Sequence, residues 1–228
     1  MNLIVQGKTK DVYELKDGRY LLKFKDDVTG AAGKFDPGAD QVGLQLAGAG
    51  RAALRLSKFF FELLAEKGIP THYIEAEPAD LTMTVEKAEP FGQGLEFICR
   101  YRAVGSFYRR YGKYIAEGAP LEAFVEITIK DDERKDPPIS KDALLMLNIL
   151  KEEEYEHLVD LTRTICGIIK EELAGRGIEL YDIKLEFGRI GRKKQIALID
   201  EVSGGNMRAY QGDKYLDPLA LEKLILNK

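Results

Sequence analysis

Tyr181-Asp182-Ile183-Lys184-Leu185-Glu186-Phe187-Gly188 alternates polar and apolar residues without a break. Successive side chains of a β-strand point to opposite faces, so Asp182, Lys184 and Glu186 share one face while Ile183, Leu185 and Phe187 share the other. A basic turn, Gly191-Arg192-Lys193-Lys194, follows, and Ile196-Ala197-Leu198-Ile199-Asp200-Glu201 reads as the returning strand. A hairpin centred on Lys193 sets Glu186 opposite Asp200 on one face. Facing like charges are destabilising unless a cation lies between them. Mg²⁺ is such a cation, held by one or two carboxylates together with phosphate oxygens. Two readings stay open: a metal site carrying nucleotide phosphates, and an amphipathic surface hairpin whose charges face water. The apolar run ending at Asp200 favours the first, because it reads as a buried strand delivering a carboxylate to a cleft.

Upstream of this ribbon, a long helix is predicted over 152–174, with Leu158, Leu161, Ile165, Ile168, Ile169 and Leu173 as its buried stripe. Gly175 and Gly177 close it. Asp136-Pro137-Pro138-Ile139-Ser140 is a rigid turn, and Ser140 caps a helix that runs through Leu150. Phe97 to Arg102 reads as a strand, and Thr82 to Glu96, with Pro90, Gly92 and Gly94, as a connector between lobes. The N-terminal third reads as a small sheet from Leu3-Ile4-Val5, Val12-Tyr13-Glu14-Leu15 and Tyr20-Leu21-Leu22-Lys23-Phe24, with Asp17-Gly18 turning the last two. A small-residue stretch from Thr29 to Gly50 leads into a helix over 51–67, ended by Gly68 and Pro70. Downstream, Asp217-Pro218 opens a last helix. The fold class is α+β in two lobes, a small one over 1–88 and a larger one over 89–228.

The chain has 228 residues, enough to bury a real core as one large domain or two small lobes. Its 34 basic and 38 acidic residues leave a net charge of −4, which gives no global reason to bind nucleic acid. No apolar run approaches the roughly 20 residues that span a bilayer, and the N-terminus carries no charged-then-apolar leader. A soluble, cytoplasmic protein is expected. Two isolated cysteines and two isolated histidines supply neither a zinc spacing nor a disulfide framework. Cys99 and Cys166 sit in apolar runs as small hydrophobes, and His72 and His157 read as structural. The chemistry therefore rests on carboxylates, lysines and arginines.

Gly7-Lys8-Thr9-Lys10 falls between two short strands, where backbone N–H groups and two ammonium groups can cover a polyphosphate. Gly48-Ala49-Gly50-Arg51-Ala52-Ala53 imitates a dinucleotide fingerprint, but its βαβ context is missing and the Rossmann reading is rejected. Cys99 to Lys113 carries Arg100, Arg102, Arg109, Arg110 and Lys113 and no acid, a footprint for a small anion. Arg109, Arg110 and Lys113 fit a solvated helix face. Arg100 and Arg102, alternating on a strand, are the better site candidates, and Gly105-Ser106 opens a helix beside them.

Gly7 to Tyr13, Cys99 to Ser106, Lys130-Asp131-Asp132 with Asp136-Pro137, Asp182 to Gly188, and Asp200-Glu201-Val202-Ser203 with Arg208 occur in an order that resembles the SAICAR synthetase family of purine biosynthesis. The resemblance spans nearly the whole chain. It implies a two-lobed fold with antiparallel sheets and a kinase- or ATP-grasp-like nucleotide cleft. It also implies a ligase that joins a phosphoribosyl-aminoimidazole carboxylate to the amine of aspartate, with ATP and Mg²⁺, through an acyl phosphate. Such a step needs positioning and charge neutralisation more than histidine or cysteine chemistry. By the same resemblance, Lys8 and Lys10 touch ATP phosphates, and Glu186 and Asp200 hold the metal. Arg100, Ser106, Ser203 and Arg208 bind the phosphoribosyl substrate, while Lys184, Lys130 and Asp136 line the reacting end. Small-molecule substrates and a homo-oligomer are implied as partners.

Three departures from the family pattern stand out: Gly204-Gly205 in place of Pro-Asp, Ala32 in place of an acid, and a longer stretch over 35–50. They motivate the alternative of a related ligase with a different acid or amine. A kinase-like phosphotransferase needs a catalytic-loop base that no His-Arg-Asp element supplies. A non-catalytic nucleotide-binding module is disfavoured by the presence of both Glu186 and Asp200.

Overall fold

The structure is a computed structural model that describes residues 1–31, 34–35 and 42–226. In chain order it forms β1 (Asn2–Gln6), β2 (Lys10–Glu14), β3 (Tyr20–Phe24), β4 (Asp27–Ala31), β5 (Lys34–Phe35), β6 (Val42–Gln45), α1 (Ala49–Glu66), β7 (Tyr73–Glu77), β8 (Thr82–Val85) and β9 (Ala88–Pro90). There follow β10 (Leu95–Arg102), α2 (Gly105–Tyr111), β11 (Pro120–Ile129), α3 (Lys141–Met146), α4 (Glu152–Ala174), β12 (Glu179–Ile190), β13 (Gln195–Ile199), β14 (Met207–Gln211), β15 (Lys214–Tyr215) and α5 (Pro218–Leu226). Two compact units result. One holds Met1–Glu89, Gly188–Asn206 and Leu216–Lys228, and the other holds Pro90–Phe187 and Met207–Tyr215. Ala32 and residues 36–41 of the long stretch lie outside the described residues.

The first unit is built on an antiparallel sheet in the order β1-β2-β3-β8-β7. The β2–β3 turn falls at Asp17-Gly18, where Gly18 takes φ 85°, a left-handed conformation open to glycine at no steric cost. Thr82–Val85, expected within a connector, is instead β8, pairing with both β3 and β7. Its β-branched residues and Met83 fill the sheet, and Met83 and Val85 are buried. Strand β1 pairs as expected, but it is an edge strand, and Leu3, Ile4 and Val5 are about half exposed. Helix α1 buries Leu54, Leu56, Phe60, Phe61 and Leu64 completely. Each such side chain contributes about 1.5–3 kcal/mol by leaving water. The helix starts before Arg51 because the Asp26 carboxylate accepts the Gly50 N–H at 2.9 Å, and a Cβ on Gly50 would meet the Lys25 carbonyl oxygen at 2.7 Å. It ends where Gly68 turns left-handed and Ile69 N–H bonds the Leu64 carbonyl at 3.0 Å. Strand β6 pairs antiparallel to β4, and among the described residues no βαβ unit surrounds the Gly48 motif. Helix α5 packs on α1 and is capped by Asp217, whose carboxylate accepts the Ala220 N–H at 2.8 Å.

The second unit centres on a sheet in the order β11-β10-β12-β14-β15, antiparallel throughout. Phe97 lies opposite both Leu185 and Ile127, and its ring meets Phe187 edge-on at 5.2 Å. This apolar face belongs to the alternating residues Ile183, Leu185 and Phe187, all buried. Helix α4 packs on β10 and β11 and buries Leu158, Leu161, Ile165, Ile169 and Leu173. Ile168 is only half-buried; Thr162 and Cys166 complete the stripe instead, since both lie on the i, i+4 row of Leu158. Ser140 caps α3 as expected, its hydroxyl accepting from Ala143 N–H at 3.2 Å. The helix does not reach Leu150. It stops at Met146 because Asn148 turns left-handed (φ 54°) and Ile149 N–H bonds the Leu144 carbonyl. Cys99 and Cys166 are free and buried.

Strand β12 is buried along most of its length, so it is no solvated surface ribbon. Its turn takes Gly191–Lys194, and β13 ends at Ile199. Asp200 therefore lies past the strand rather than in it, with φ 67°.

Candidate active site

Directly opposed residues of antiparallel strands point to the same face of a sheet. In the second unit Glu96 faces Glu186 and Thr128, and Asp182 faces Arg100 and Arg208. The polar side of β12 thus collects two charged groups, one at each end.

At one end Lys130 Nζ reaches both Glu186 oxygens, at 2.7 and 2.9 Å. Lys184 Nζ bonds Glu96 Oε1 at 2.6 Å and stands 3.8 Å from Glu186. Thr128 donates its hydroxyl to Glu96 Oε2 at 2.9 Å. Glu96 is 4% exposed. A buried carboxylate is tolerable only when paired and hydrogen-bonded, and the pairing here leaves two ammonium groups beside two carboxylates. Asp136 follows β11 in a left-handed conformation (φ 45°), with its carboxylate accepting the Asp131 N–H at 2.7 Å.

At the other end Arg100 is 1% exposed, and both its terminal nitrogens are engaged while its buried Nε has no hydrogen-bond partner among the described residues. The fork donates to Asp182 at 2.8 Å, to Ser106 Oγ at 2.9 Å and to Glu126 at 2.8 Å. Arg208 Nη1 bonds both Asp182 oxygens, at 3.1 and 2.8 Å, and Arg110 pairs with the second Glu126 oxygen. Gly105 opens α2 with φ 57°, and a Cβ there would come within 2.8 Å of the Arg208 guanidinium. Only glycine meets both conditions. Ser106 therefore joins the arginine cluster, as its position beside the helix start predicts. Arg102 does not: the β10–β11 register shifts after Arg100, and Arg102 turns to Glu179 and over the Tyr181 ring.

The first unit gathers charged groups of its own. Lys10, 9% exposed, bonds Glu201 and stands 3.1 Å from Asp200. Burial alone would pull its pKa down, but Asp200 and Glu201 outweigh that and hold it well above the usual lysine range. Lys8 is half-buried in the preceding turn, which closes through Gly7 N–H to the Lys10 carbonyl at 2.9 Å. Ser203 is fully buried. It donates to Glu201 at 2.6 Å and accepts the Gly205 N–H at 2.9 Å, while Asn206 bonds the Ser203 N–H and the Glu201 carbonyl. Gly204 packs where a Cβ would meet Pro218 Cα at 2.7 Å. The departure from proline at this position thus has a local packing cause. His72 is buried, with its Nε2 3.2 Å from the Asp200 carbonyl oxygen. Burial lowers its pKa to about 4 and keeps it neutral, which fits the structural role expected of it. A cleft of about 350 Å³ opens in this unit between Thr9, Phe24, Lys25, Asp27, Ala53 and Glu201, among others.

Glu186 and Asp200 present the hard oxygen donors that Mg²⁺ prefers, and each already has a cation at its carboxylate, Lys130 and Lys10 respectively. The donor chemistry of both fits the ion. Sequence reasoning missed Glu96, Glu126, Thr128 and Glu201. The alternation of Glu122, Phe124, Glu126 and Thr128 with Leu121, Ala123, Val125 and Ile127 marks β11 and could have revealed two of them.

A profile described as SAICAR synthetase matches residues 3–225. The phosphoribosylaminoimidazole-succinocarboxamide synthase of Clostridium tetani (strain Massachusetts / E88) is 66% identical over 226 residues, covering 99% of this chain and 100% of its own. A SAICAR synthetase solved in complex with ADP superposes with a TM-score of 0.86 at 29% identity, over 98% of this chain and 97% of that one. The SAICAR synthetase of Pyrococcus horikoshii OT3 gives a TM-score of 0.82 at 29% identity, over 96% and 98%.

Proposed function

The chain belongs to the SAICAR synthetase family, and from that premise we propose that it is an ATP-dependent carboxylate–amine ligase of purine biosynthesis. It joins phosphoribosyl-carboxyaminoimidazole to L-aspartate and yields SAICAR, ADP and phosphate. The observation that carries this reading is the 66% identity over essentially the whole of both chains. Of the departures that motivate a different acid or amine, Gly204 answers to its contact with Pro218.

An imidazole carboxylate is a poor electrophile until its oxygen carries a phosphoryl group. Displacement of phosphate by the aspartate amine then forms the amide. Lys184 and Lys130 are the ammonium groups we assign to the charge that builds at the reacting end, where fixed donors stabilise it without reorganisation. Asp136, on the loop after β11, is assigned to the same end. Arg208 and Ser106, organised by Arg100 and Asp182, are assigned to the phosphoribosyl group, for which arginine forks are suited. Ser203 serves that substrate indirectly in this assignment, by holding the turn over 203–206. Lys8 and Lys10 take the nucleotide phosphates. Glu186 and Asp200 are the assigned carboxylate ligands of Mg²⁺, which neutralises phosphate charge when bound. A cytoplasmic location and self-association belong to the same proposal.

The test incubates the purified chain with ATP, the carboxyaminoimidazole nucleotide and aspartate, with and without Mg²⁺, and follows ADP release and product mass. ADP formation that requires both organic substrates and yields the succinocarboxamide mass supports the reading. ADP release with a phosphorylated alcohol, or turnover only with another amine, overturns it.

A further inference from the structure

We propose that Glu96, held by Thr128, is a positioning residue that fixes the Lys184 ammonium group for the ligase step. The inference rests on the function proposed above. Lys184 side chain is 30% exposed, and an unrestrained lysine at such a site samples many rotamers. Here its Nζ is tied to Glu96 Oε1 at 2.6 Å, while the 3.8 Å separation from Glu186 is an ion pair without a hydrogen bond. Glu186 itself is taken by Lys130 through both oxygens. Glu96 therefore holds the Lys184 ammonium group by a direct, charge-assisted hydrogen bond.

Glu96 is in turn buried and held through both carboxylate oxygens. It sits in the centre of three strands, opposite Glu186 on β12 and Thr128 on β11. Its Oε2 accepts the Thr128 hydroxyl at 2.9 Å, so each carboxylate oxygen has its own partner. Thr128 is buried, and its β-branched side chain is stiff about χ1. The series Thr128–Glu96–Lys184 runs from a rigid core position to a solvent-accessible ammonium group. A direct opposition of Glu96 and Glu186 would cost stability if either lacked a cation. Lys130 binds Glu186 through both oxygens, and Lys184 bonds Glu96 while pairing with Glu186 at 3.8 Å.

The experiment compares Glu96→Gln, Glu96→Asp and Thr128→Val with the parent chain. Steady-state kinetics are measured with all substrates. Amine labelling by an N-hydroxysuccinimide ester is read by mass spectrometry at Lys184 and, as a control, at Lys223, without substrates. Glu96→Gln is expected to lower kcat at least tenfold with the nucleotide KM within twofold. Glu96→Asp recovers part of kcat, and Thr128→Val lowers it several-fold. Lys184 labelling changes at least threefold in Glu96→Gln and Thr128→Val while Lys223 labelling stays constant. Unchanged Lys184 labelling, or an aspartate variant no better than glutamine, overturns the proposal even if the parent chain is an active ligase. A parent chain that forms no product refutes the ligase function, and with it the catalytic part of the inference. Labelling still decides whether Glu96 holds Lys184. If Glu96→Gln does not fold, Glu96→Asp and Thr128→Val give the same readouts.

Discussion

Replacing Lys10 by methionine separates a buried ion pair from a surface one. Lys10 and Glu201 are both below a tenth exposed, and Asp200 adds a second carboxylate 3.1 Å from the same nitrogen. Exposed lysine–carboxylate pairs are worth about 0–1 kcal/mol. Removing one partner of a buried pair costs about 3–5 kcal/mol, because it strands a charge in a poorly solvated place. Methionine keeps most of the side chain's apolar packing beside Phe24, so the loss is chiefly electrostatic. Lys10→Met is therefore expected to lower unfolding stability by about 3 kcal/mol or more in urea at pH 7. The companion Lys10→Met/Glu201→Gln variant regains part of that, since the more buried of the two stranded carboxylates is gone. The folded-state pKa of Lys10 is raised, so its pairing contributes in full below the unfolded value near 10.4 and is lost only as pH climbs beyond it. The difference between parent and variant should be flat from pH 7 to 9. A loss under about 1 kcal/mol at pH 7 refutes the buried-pair account.

Gly105→Ala combines a left-handed residue with a Cβ placed 2.8 Å from the Arg208 guanidinium. It should cost about 1–2 kcal/mol of stability, and, by displacing Arg208 from Asp182, raise the KM for the phosphoribosyl acid at least tenfold; steady-state kinetics with a melting curve check both, and an unchanged KM removes Arg208 from the substrate site. His72, neutral and held down by burial to a pKa of about 4, makes folding oppose protonation. Its contribution is intact above the unfolded value near 6.5 and falls as pH drops toward 4, by up to about 3 kcal/mol. His72→Gln should lose less stability than the parent between pH 6.5 and 4.5, and parallel curves in urea titrations contradict this. Gly204→Ala drives a methyl group against Pro218 Cα and should destabilise by about 1–3 kcal/mol, with α5 showing the largest rise in amide exchange; exchange confined to other segments counts against that contact.

Much of the fold is legible because local pattern and tertiary role coincide in it. The strict alternation over Tyr181–Gly188 fixes which side chains share a face of β12, and Asp17-Gly18, Gly68, Ser140 and Asp217 each mark a boundary through backbone chemistry that operates locally. What escaped depends on partners distant in sequence. Thr128 and Glu96 are 32 residues apart, and Lys184 and Glu96 are 88 apart; only the register of three strands brings them together. A strand beginning at Phe97 places Glu96 in the connector, where a buried acid reads as a loop residue, and Thr82–Val85 falls within the same connector. The apolar run in β1 reads correctly as a strand, but an edge position, which leaves Leu3, Ile4 and Val5 half exposed, is a property of the sheet and not of the segment. Asp200 shows the limit from another side: an apolar run predicts the strand, whereas just beyond it the backbone turns left-handed and its carbonyl meets His72, 128 residues away in sequence.

In the proposed reaction a carboxylate oxygen is phosphorylated before the amine attacks. With ¹⁸O placed in the carboxylate of the imidazole nucleotide, and ATP and aspartate unlabelled, mass analysis of the released phosphate reads that oxygen directly. Carboxylate activation predicts one ¹⁸O atom in the phosphate for each amide formed from a labelled oxygen. Phosphate carrying only unlabelled oxygen, while amide accumulates, would contradict it.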